Sequence, residues 1–317
     1  MEHNILQVKN LKKYYPGRNG VVKAVDGVSF SIEKGTTMGL VGESGCGKST
    51  TGRMILRLAG EKTGGQVLFQ GQDIYALSPR QLRRLRPKMQ MVFQDPFSSL
   101  SPRMPVGELI GEAVLAHKLL PRREISDYVG DIMEQCGLGR EYKNRYPHAF
   151  SGGQRQRISI ARALALQPDF VICDEPVSAL DVSVQAQIVN LLKDLQEKQH
   201  LTYLFISHDL SVVEHITDTV GVMYLGNLVE QGTTAAMFAQ PLHPYTKALF
   251  SAIPVADPDH QPAWTPLQGS LPSPEDPPSG CKFHTRCPHR MDICPVEEPV
   301  WKEVEPGHFC ACHLYNN

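Results

Sequence analysis

The sequence contains no hydrophobic run long enough to cross a bilayer. Hydrophobic residues make up 41% of its 317 residues, yet no uninterrupted apolar stretch approaches the roughly 18 residues that a spanning helix needs. The N-terminal sequence MEHNILQVKN also lacks the pattern of a signal peptide. We therefore expect a cytoplasmic chain that reaches a membrane only through partner proteins.

An excess of one charge is also absent. Lys and Arg total 32 against 33 Asp and Glu, so the formal net charge is -1 and no overall field favours nucleic acid or an anionic membrane. The basic stretch at residues 80–88 is more typical of a solvated helix face than of a nucleic-acid site. Nucleic acid is therefore not an expected partner.

The N-terminal region has the pattern of a β subdomain. Residues 5–9 and 28–32 alternate apolar and polar side chains, and the turn-rich sequence PGRNG at 16–20 lies between them. This alternation is typical of antiparallel strands that bury one face. We find no internal repeat, and the length suits one large domain or two smaller ones.

The central region has continuous apolar segments at 38–41, 170–173 and 202–207, each near a helical stretch. Strands that are apolar on both faces suit a parallel sheet covered by helices, so an α/β core is predicted. Between about residues 95 and 165 apolar residues recur at helical spacing, which predicts a helical insertion. Beyond residue 240 the chain holds 14 of its 24 prolines, so residues 241–317 are predicted to form an irregular C-terminal extension to a domain at 1–240.

A glycine-rich segment after the strand at 38–41 fits G-x-x-x-x-G-K-[ST] and precedes a helical stretch. Glycines let the backbone wrap a phosphate, N–H groups and a helix N-terminus supply positive potential, the lysine adds charge and the serine can ligate magnesium. This context favours a nucleotide site over a glycine-rich turn. The residues assigned to it are Gly42, Glu43, Ser44, Gly45, Cys46, Gly47, Lys48, Ser49 and Thr50.

Two further segments suit nucleotide chemistry but have simpler interpretations. The strand at 170–173 ends in Asp174 and Glu175, which could supply a magnesium ligand and a general base or only an acidic loop. A helical run begins after the segment Ser151, Gly152, Gly153 and Gln154. Its backbone N–H groups could bind a phosphate, and a helix cap is the alternative.

These motifs, taken in order, resemble those of the ATP-binding cassette family. Gln94 resembles the Q-loop glutamine, residues 151–154 the signature, residues 178–181 the D-loop and His208 the switch histidine. The resemblance implies a RecA-like P-loop core, an antiparallel β subdomain and a helical insertion. It also implies that two cassettes clamp two ATP molecules head to tail, each between the phosphate loop of one and the signature of the other.

The resemblance assigns roles to individual residues. Tyr15 stacks on adenine, although the adjacent Tyr14 could supply that ring, and Lys48 binds phosphate. Magnesium is held by Ser49, Gln94 and Asp174. The catalytic group is Glu175, which polarises the attacking water, with His208 as γ-phosphate sensor and Gln94 as the link to transport; Asp181 of the D-loop completes the nucleotide site.

Three stretches narrow the resemblance to the ATPases of dipeptide and oligopeptide importers: QDPFSSLSPRMPVGE at 94–108, DEPVSALDVSVQAQ at 174–187 and HPYTKAL at 243–249. The implied function is an ATP-hydrolysing subunit, peripheral on the cytoplasmic face of the inner membrane, that powers peptide import. The implied partners are a second ATPase subunit, two permease subunits and an extracytoplasmic solute-binding protein. The alternatives are an importer of nickel, metallophore or glutathione, or a soluble ATPase outside transport.

Five of the eight cysteines lie in the last 37 residues. In a cytoplasmic chain such clustering favours metal over disulfides, and four thiolates can hold an iron–sulfur cluster or zinc. Similar cysteines in peptide-importer ATPases are associated with a 4Fe-4S cluster, so ATP, Mg²⁺ and that cluster are the expected cofactors. The predicted cluster ligands are Cys281, Cys287, Cys294 and Cys310, with Cys312 as a competing fourth ligand.

Overall fold

The structure is a computed structural model that describes residues 4–17, 20–95, 99–253, 267 and 269–315. Parts of three predicted segments lie outside the described residues: 18–19 of the turn, 96–98 of the stretch at 94–108, and 254–266 with 268 of the proline-rich extension. The chain forms two compact units. The signature unit comprises Met1–Ile5, Ile32–Thr36 and Ala76–Ile206, and the phosphate-loop unit comprises Leu6–Ser31, Thr37–Tyr75 and Ser207–Asn317.

A four-stranded sheet in the phosphate-loop unit has the order β2-β1-β4-β5. Along β2, Val28 and Phe30 are buried while Ser29 and Ser31 are exposed, because alternate side chains of a strand face opposite sides of the sheet. β1 pairs antiparallel with β4, and this confirms the predicted antiparallel subdomain. The strands are β1 (Asn4–Pro16), β2 (Val21–Glu33), β4 (Gly64–Phe69) and β5 (Gln72–Asp73).

The second group of strands in this unit has the order β11-β12-β10-β9-β3, with β3 and β9 parallel and the other pairs antiparallel. These strands are β3 (Thr37–Val41), β9 (Thr219–Tyr224), β10 (Asn227–Thr233), β11 (Lys302–Glu305) and β12 (His308–Cys310). The helices of the unit are α1 (Lys48–Ile55), α7 (Leu210–Ile216), α8 (Thr234–Ala239) and α9 (Pro244–Phe250).

The C-terminal extension is more regular than its composition predicts. β12 pairs with β10, placing Cys310 opposite Glu230, and β11 extends the sheet further. Pro306 and Gly307 lie in the turn between β11 and β12, where proline removes no ladder hydrogen bond. The prediction of an irregular extension is therefore wrong for 302–310, because the tail strands satisfy backbone groups at the edge of β10.

The signature unit contains three parallel strands in the order β8-β7-β6: β6 (Met89–Val92), β7 (Phe170–Asp174) and β8 (Thr202–Ile206). Every residue of β7 and β8 is buried, as continuous apolar strands predict. The helices are α2 (Pro79–Leu85), α3 (Val106–Ala116), α4 (Ile125–Gln135), α5 (Gly152–Leu164) and α6 (Val182–Gln199).

The predicted helical insertion, at about residues 95–165, corresponds to α3, α4 and α5. In α3, Val106, Ile110 and Val114 are fully buried, which is the spacing of one helix face. Gly111 lies close to α4, where a methyl group would press on Ile125. Among the described residues, no helix is both long enough and apolar enough to span a bilayer.

Candidate functional site: a phosphate loop, a carboxylate pair and a cysteine-rich tail

The phosphate loop connects β3 to α1, and its backbone carbonyls accept hydrogen bonds from Lys48. Lys48 is the first residue of α1, and its ammonium donates to the carbonyl oxygens of Gly42 at 2.7 Å and Glu43 at 3.0 Å. Only 4% of Lys48 is exposed. Ser49 and Thr50 follow in the first turn of α1, and the N-terminus of a helix favours an anion.

Two glycines of the loop occupy positions that other residues cannot adopt without displacement. Gly42 has φ +147° and Gly47 has φ +110°, in the region that disfavours side chains. A methyl group at Gly42 would overlap the carbonyl oxygen of Met223, and one at Gly47 that of Ala24. Close packing of the loop against β9 and β2 thus explains why the motif has glycine at both ends.

Of the remaining loop residues, some are exposed to solvent and one is buried. Ser44 and Gly45 are exposed at the tip of the loop. Cys46 is 1% exposed, and burial raises the pKa of its thiol. Cys46 is therefore a buried neutral group that packs beneath the loop.

The two tyrosines considered for adenine stacking have different surroundings. The Tyr14 hydroxyl donates to a carboxylate oxygen of Asp26 at 2.6 Å, and burial together with that carboxylate raises the pKa of Tyr14 to about 12. The Tyr15 ring contacts the Lys13 ammonium, 4.8 Å from its centroid. Because Tyr14 is held by Asp26, this geometry favours Tyr15 for adenine.

In the signature unit, the predicted carboxylate pair lies at the end of β7. Asp174 is fully buried, and Glu175 has φ +47°, a backbone conformation that costs about 1 to 3 kcal/mol in a residue with a side chain. The Glu175 N–H donates to the Ile206 carbonyl at 2.9 Å, which holds this conformation. The Gln94 side-chain amide donates to the Glu175 carboxylate at 2.8 Å, so the structure brings these two predicted residues together.

The signature segment begins α5. The Ser151 hydroxyl accepts from the Gln154 N–H, and the Gln154 side chain accepts from the Ser151 N–H, which is a capping box. Ser151 is exposed, with Gly152 and Gly153 forming the first turn. The segment is thus a helix cap, and it also leaves the N-terminus of a helix open to solvent.

The D-loop is hydrogen-bonded to the backbone carbonyl of Glu175. The Ser178 hydroxyl donates to the Glu175 carbonyl at 3.1 Å, and Asp181 is the exposed residue at the start of α6. His208, in the phosphate-loop unit, is exposed just before α7. The phosphate loop with His208, and the carboxylate pair with Gln94 and the signature, therefore belong to different compact units.

Arg286, in the cysteine-rich tail at residues 281–312, contacts the phosphate loop. The sequence alone did not indicate this contact. Arg286 donates to both carboxylate oxygens of Glu43, at 2.7 and 3.1 Å. The Tyr245 hydroxyl accepts from the Glu43 N–H at 2.9 Å. Arg286 is 243 residues from Glu43, so only the presence of an arginine between two cysteines could have drawn attention to it.

The tail is anchored to the core by a buried carboxylate. Glu230, fully buried on β10, accepts from the N–H groups of Leu242 and His243 at 2.7 and 2.8 Å and lies 2.8 Å from His308 Nε2. Burial lowers the pKa of His243 to about 4. His243 is therefore neutral at neutral pH, and its ring nitrogen caps α9 by accepting from the Tyr245 N–H.

Four of the tail cysteines share one kind of environment. Each sulfur accepts a backbone N–H: Cys281 from Phe283, Cys287 from His289, Cys294 from Met291 and Cys312 from Leu314. Cys281 interacts electrostatically with Cys287, Cys294 and Cys312. Burial raises the pKa of Cys281 to about 12 and that of Cys312 to about 11.

Cys310 has a different environment. It is fully buried with Leu242, and burial together with Glu230 raises its pKa well above the usual range. Within the part of the chain that the structure describes, no group of three or more His, Cys, Asp or Glu side chains is placed to hold a metal ion. A 4Fe-4S cluster separates its ligands more widely than one ion does, and the N–H groups at four sulfurs suit such a cluster.

Known proteins are similar to this chain over nearly its full length. The chain is 53% identical over 325 residues to the oligopeptide transport ATP-binding protein AppF of Bacillus subtilis, covering 99% of this chain and 98% of AppF. The chain belongs to the ATP-binding cassette family. The family model described as ABC transporter matches residues 25–178, and the one described as oligopeptide/dipeptide transporter, C-terminal region, matches residues 229–294.

Solved structures confirm the cassette fold. The structure of cbiO1 from Clostridium perfringens, part of the ABC transporter complex cbiONQ, is 30% identical with a TM-score of 0.67, covering 75% of this chain and 92% of cbiO1. A dimeric post-hydrolysis state of the ATP-binding cassette MJ0796 bound to ADP and Pi is 26% identical with a TM-score of 0.65, covering 72% and 98%. The predicted α/β cassette with a RecA-like core is thereby confirmed.

The cassette also has an open groove on its helical insertion. The groove has a volume of about 480 Å³ and is lined by residues from α3, α4 and the segment before Arg145. Leu115, 41% exposed, lies beside the acidic Glu108 and Glu112 and the basic Arg122. The groove thus presents one exposed apolar side chain among charges of both signs.

Proposed function

We propose that this cassette is the ATP-hydrolysing subunit of an importer of dipeptides and oligopeptides. The observation that carries the hydrolytic part is the Gln94–Glu175 hydrogen bond at the end of β7, because it orients a carboxylate held in an unusual backbone conformation. The peptide part is supported by the 53% identity to a protein named for oligopeptide transport. Nickel, metallophore or glutathione import is an outcome that the substrate assay below distinguishes.

The phosphate-loop unit binds the nucleotide in this proposal. Backbone N–H groups of the phosphate loop and the N-terminus of α1 bind the phosphates, and Lys48 transfers its hydrogen bonds from the loop carbonyls to phosphate oxygens. Tyr15 stacks on adenine. His208 contacts the γ-phosphate.

The signature unit supplies the catalytic base. Glu175 accepts the proton of the attacking water, and Gln94 holds the carboxylate in place until the water is bound. Magnesium, when bound, neutralises charge on the phosphates. The residues that fit it are Ser49, Gln94 and Asp174, because a hydroxyl, an amide oxygen and a carboxylate are oxygen ligands of the kind that magnesium prefers.

A second cassette completes the proposed working unit. The open N-terminus of α5, with Ser151, Gly152, Gly153 and Gln154, binds the phosphates of a nucleotide held by the partner cassette. Asp181 of the D-loop lies near the carboxylate pair in sequence and takes part at the same interface. The partner cassette is a separate subunit of the importer.

Two membrane permease subunits are the proposed partners of the groove between α3 and α4. An amphipathic permease segment would cover Leu115 and pair its charges with Glu108, Glu112 and Arg122. Gln94 connects this region to catalysis through its hydrogen bond to Glu175. The cassette then lies on the cytoplasmic face of the inner membrane, and an extracytoplasmic solute-binding protein delivers the peptide.

The C-terminal extension, residues 241–317, is proposed as a separate functional region beyond a nucleotide-binding domain at 1–240. We assign to it a 4Fe-4S cluster held by Cys281, Cys287, Cys294 and Cys312. The N–H group at each of these sulfurs supports Cys312 over the originally predicted Cys310, because hydrogen bonds to sulfur stabilise metal-bound thiolates. Cys310, beside the buried carboxylate of Glu230, is poorly suited to carry negative charge.

The hydrolytic role is tested by phosphate release and nucleotide binding measured on the same preparation. Glu175→Gln preserves side-chain size and removes the base, so turnover should fall about a hundredfold or more while ATP binding persists. Glu197→Gln, on the exposed face of α6, is the matched control and should hydrolyse ATP at the wild-type rate. Normal turnover in the Glu175 variant contradicts the assignment of the base.

A further inference from the structure

The cysteine-rich tail contacts the phosphate loop through an ion pair with little access to water. The Arg286 guanidinium donates to both carboxylate oxygens of Glu43, at 2.7 and 3.1 Å. The exposed fractions of the two side chains are 5% for Arg286 and 27% for Glu43. Two parallel charge-assisted hydrogen bonds in a shielded position fix both distance and orientation, unlike a solvent-exposed pair.

The carboxylate, the N–H and the carbonyl of Glu43 each make a hydrogen bond to a different residue of the unit. Its carboxylate is bound by Arg286, its N–H by the Tyr245 hydroxyl at 2.9 Å, and its carbonyl by the Lys48 ammonium at 3.0 Å. Lys48 is the cation of the phosphate-binding motif. The tail thus determines the position of a residue that shares a hydrogen bond with the phosphate-binding lysine.

Arg286 also has contacts that fix its position independently of Glu43. Its N–H donates to the Phe283 carbonyl at 3.0 Å, and its guanidinium lies 5.9 Å from the Tyr224 ring centroid. Phe283 packs against both Tyr224 and Tyr245, with ring centroids 5.3 and 5.5 Å apart. The guanidinium is therefore pre-positioned by an aromatic cluster, which lowers the entropy cost of the pair.

The charge of Glu43 needs a partner at this place. The loop binds a polyanion in the proposed function, and a lone carboxylate within it would repel the phosphates. Lys48 cannot also neutralise the Glu43 carboxylate, because its ammonium binds the phosphates. Arg286 supplies a second positive charge, directed at Glu43.

We propose that Arg286 is a positioning residue of the nucleotide site, which neutralises and orients Glu43 so that the phosphate loop accepts the triphosphate. The proposal rests on the proposed ATPase function. It gives the C-terminal extension a direct role in nucleotide affinity, separate from any role of its cysteines.

The test measures the KM for MgATP and kcat of the purified importer complex with the full-length chain. Arg286→Gln leaves Glu43 unpaired, so KM should rise about tenfold, equivalent to about 1.4 kcal/mol, with kcat changed less than about twofold. Lys282→Gln is the matched control. It breaks another shielded ion pair of the tail, 3.1 Å from Asp26, which does not involve Glu43, and KM should stay at the wild-type value.

The double variant E43Q/R286Q separates charge from packing. Removing both charges eliminates the unpaired carboxylate, so KM should return to within about threefold of wild type, and this variant also serves if Arg286→Gln fails to fold. An unchanged KM in Arg286→Gln, or a tenfold higher KM in E43Q/R286Q, overturns the proposal and leaves the pair as a structural contact. A wild-type complex without ATP turnover would instead refute the proposed function.

Discussion

The phosphate loop and the cysteine-rich tail lie in the same compact unit and present backbone N–H groups to a negative group in different ways. In the loop, the candidate N–H groups belong to one short segment, and Gly42 and Gly47 have backbone angles that residues with side chains rarely adopt. In the tail, four N–H groups come from separate turns, each two or three residues from its own cysteine. The loop is a local structure, whereas the tail depends on long-range folding.

This difference has a chemical consequence. The loop keeps its cation, Lys48, buried and hydrogen-bonded to carbonyl oxygens that a phosphate can replace. In the tail, burial raises the pKa of Cys281 to about 12 and of Cys312 to about 11. Without metal these thiols are protonated at neutral pH, so forming a cluster must release protons.

The largest expected effect distinguishes the tail cysteines from one another. Cys312→Ser should abolish the cluster, measured as iron and acid-labile sulfide per chain and as visible absorption, because serine removes one of its four thiolates. ATP binding should persist, since the hydrogen bonds of Glu43 and Lys48 are made to Arg286, Tyr245 and the loop backbone and not to Cys312.

Cys310→Ser is the matched control and should retain a full cluster. Loss of the cluster in Cys310→Ser with retention in Cys312→Ser would reverse the assignment. An absence of iron and sulfide in wild-type protein purified without oxygen would refute the cluster itself.

The second prediction concerns the loop alone. Gly47→Ala forces a side chain into φ +110° and against the Ala24 carbonyl, a strain of about 3 kcal/mol, so ATP affinity should fall about a hundredfold. Equilibrium binding of a fluorescent ATP analogue measures this. Gly35→Ala, at φ +81° with no atom nearby, should keep normal affinity, and normal affinity in Gly47→Ala would contradict the account of the loop.

The sequence predicts the features that lie in short motifs and does not predict those that depend on long-range contacts. Residues 42–49, Asp174, Glu175 and Gln94 could be assigned because their chemistry lies in short contiguous motifs. β11 and β12 could not, since β12 pairs with β10, where Cys310 lies opposite Glu230, and β11 is added to the sheet through β12.

Long-range contacts account for the other omissions as well. The sequence does not indicate a role for Arg286, because the residue that it binds, Glu43, is 243 residues away. The sequence leaves the choice between Cys310 and Cys312 open for a related reason, since the two cysteines are separated by one residue and only the fold distinguishes their surroundings.

The third prediction removes the anchor of the tail. Glu230→Gln places an amide against N–H donors from Leu242 and His243, and breaking such a buried charged network costs about 3 kcal/mol. Denaturant unfolding should shift accordingly, and the cysteine region should become accessible to thiol reagents first. Glu305→Gln, exposed on the tail, should leave the unfolding midpoint unchanged, and an equal shift in both variants would contradict the anchor.

The smallest effect is a pH dependence. Because burial lowers the pKa of His243 to about 4, the unfolded chain binds a proton there at higher pH than the folded chain. Its contribution to stability is therefore present above about pH 6.5 and is lost as pH falls toward 4, amounting to about 2 kcal/mol between about pH 7 and pH 5.

His243→Asn retains a side-chain acceptor for the Tyr245 N–H but does not titrate. Unfolding curves of this variant should lack that part of the pH dependence. An identical pH slope in wild type and His243→Asn would show that other groups are responsible.

Uptake of a labelled dipeptide or tripeptide tests the central claim most directly, in cells whose own gene for this chain is replaced by wild type or by Glu175→Gln. We expect uptake with wild type and only background uptake with Glu175→Gln, while the variant still co-purifies with the permease subunits and binds ATP. Peptide uptake at the wild-type rate with Glu175→Gln, or in cells lacking the chain, would contradict the claim that ATP hydrolysis at Glu175 powers peptide import.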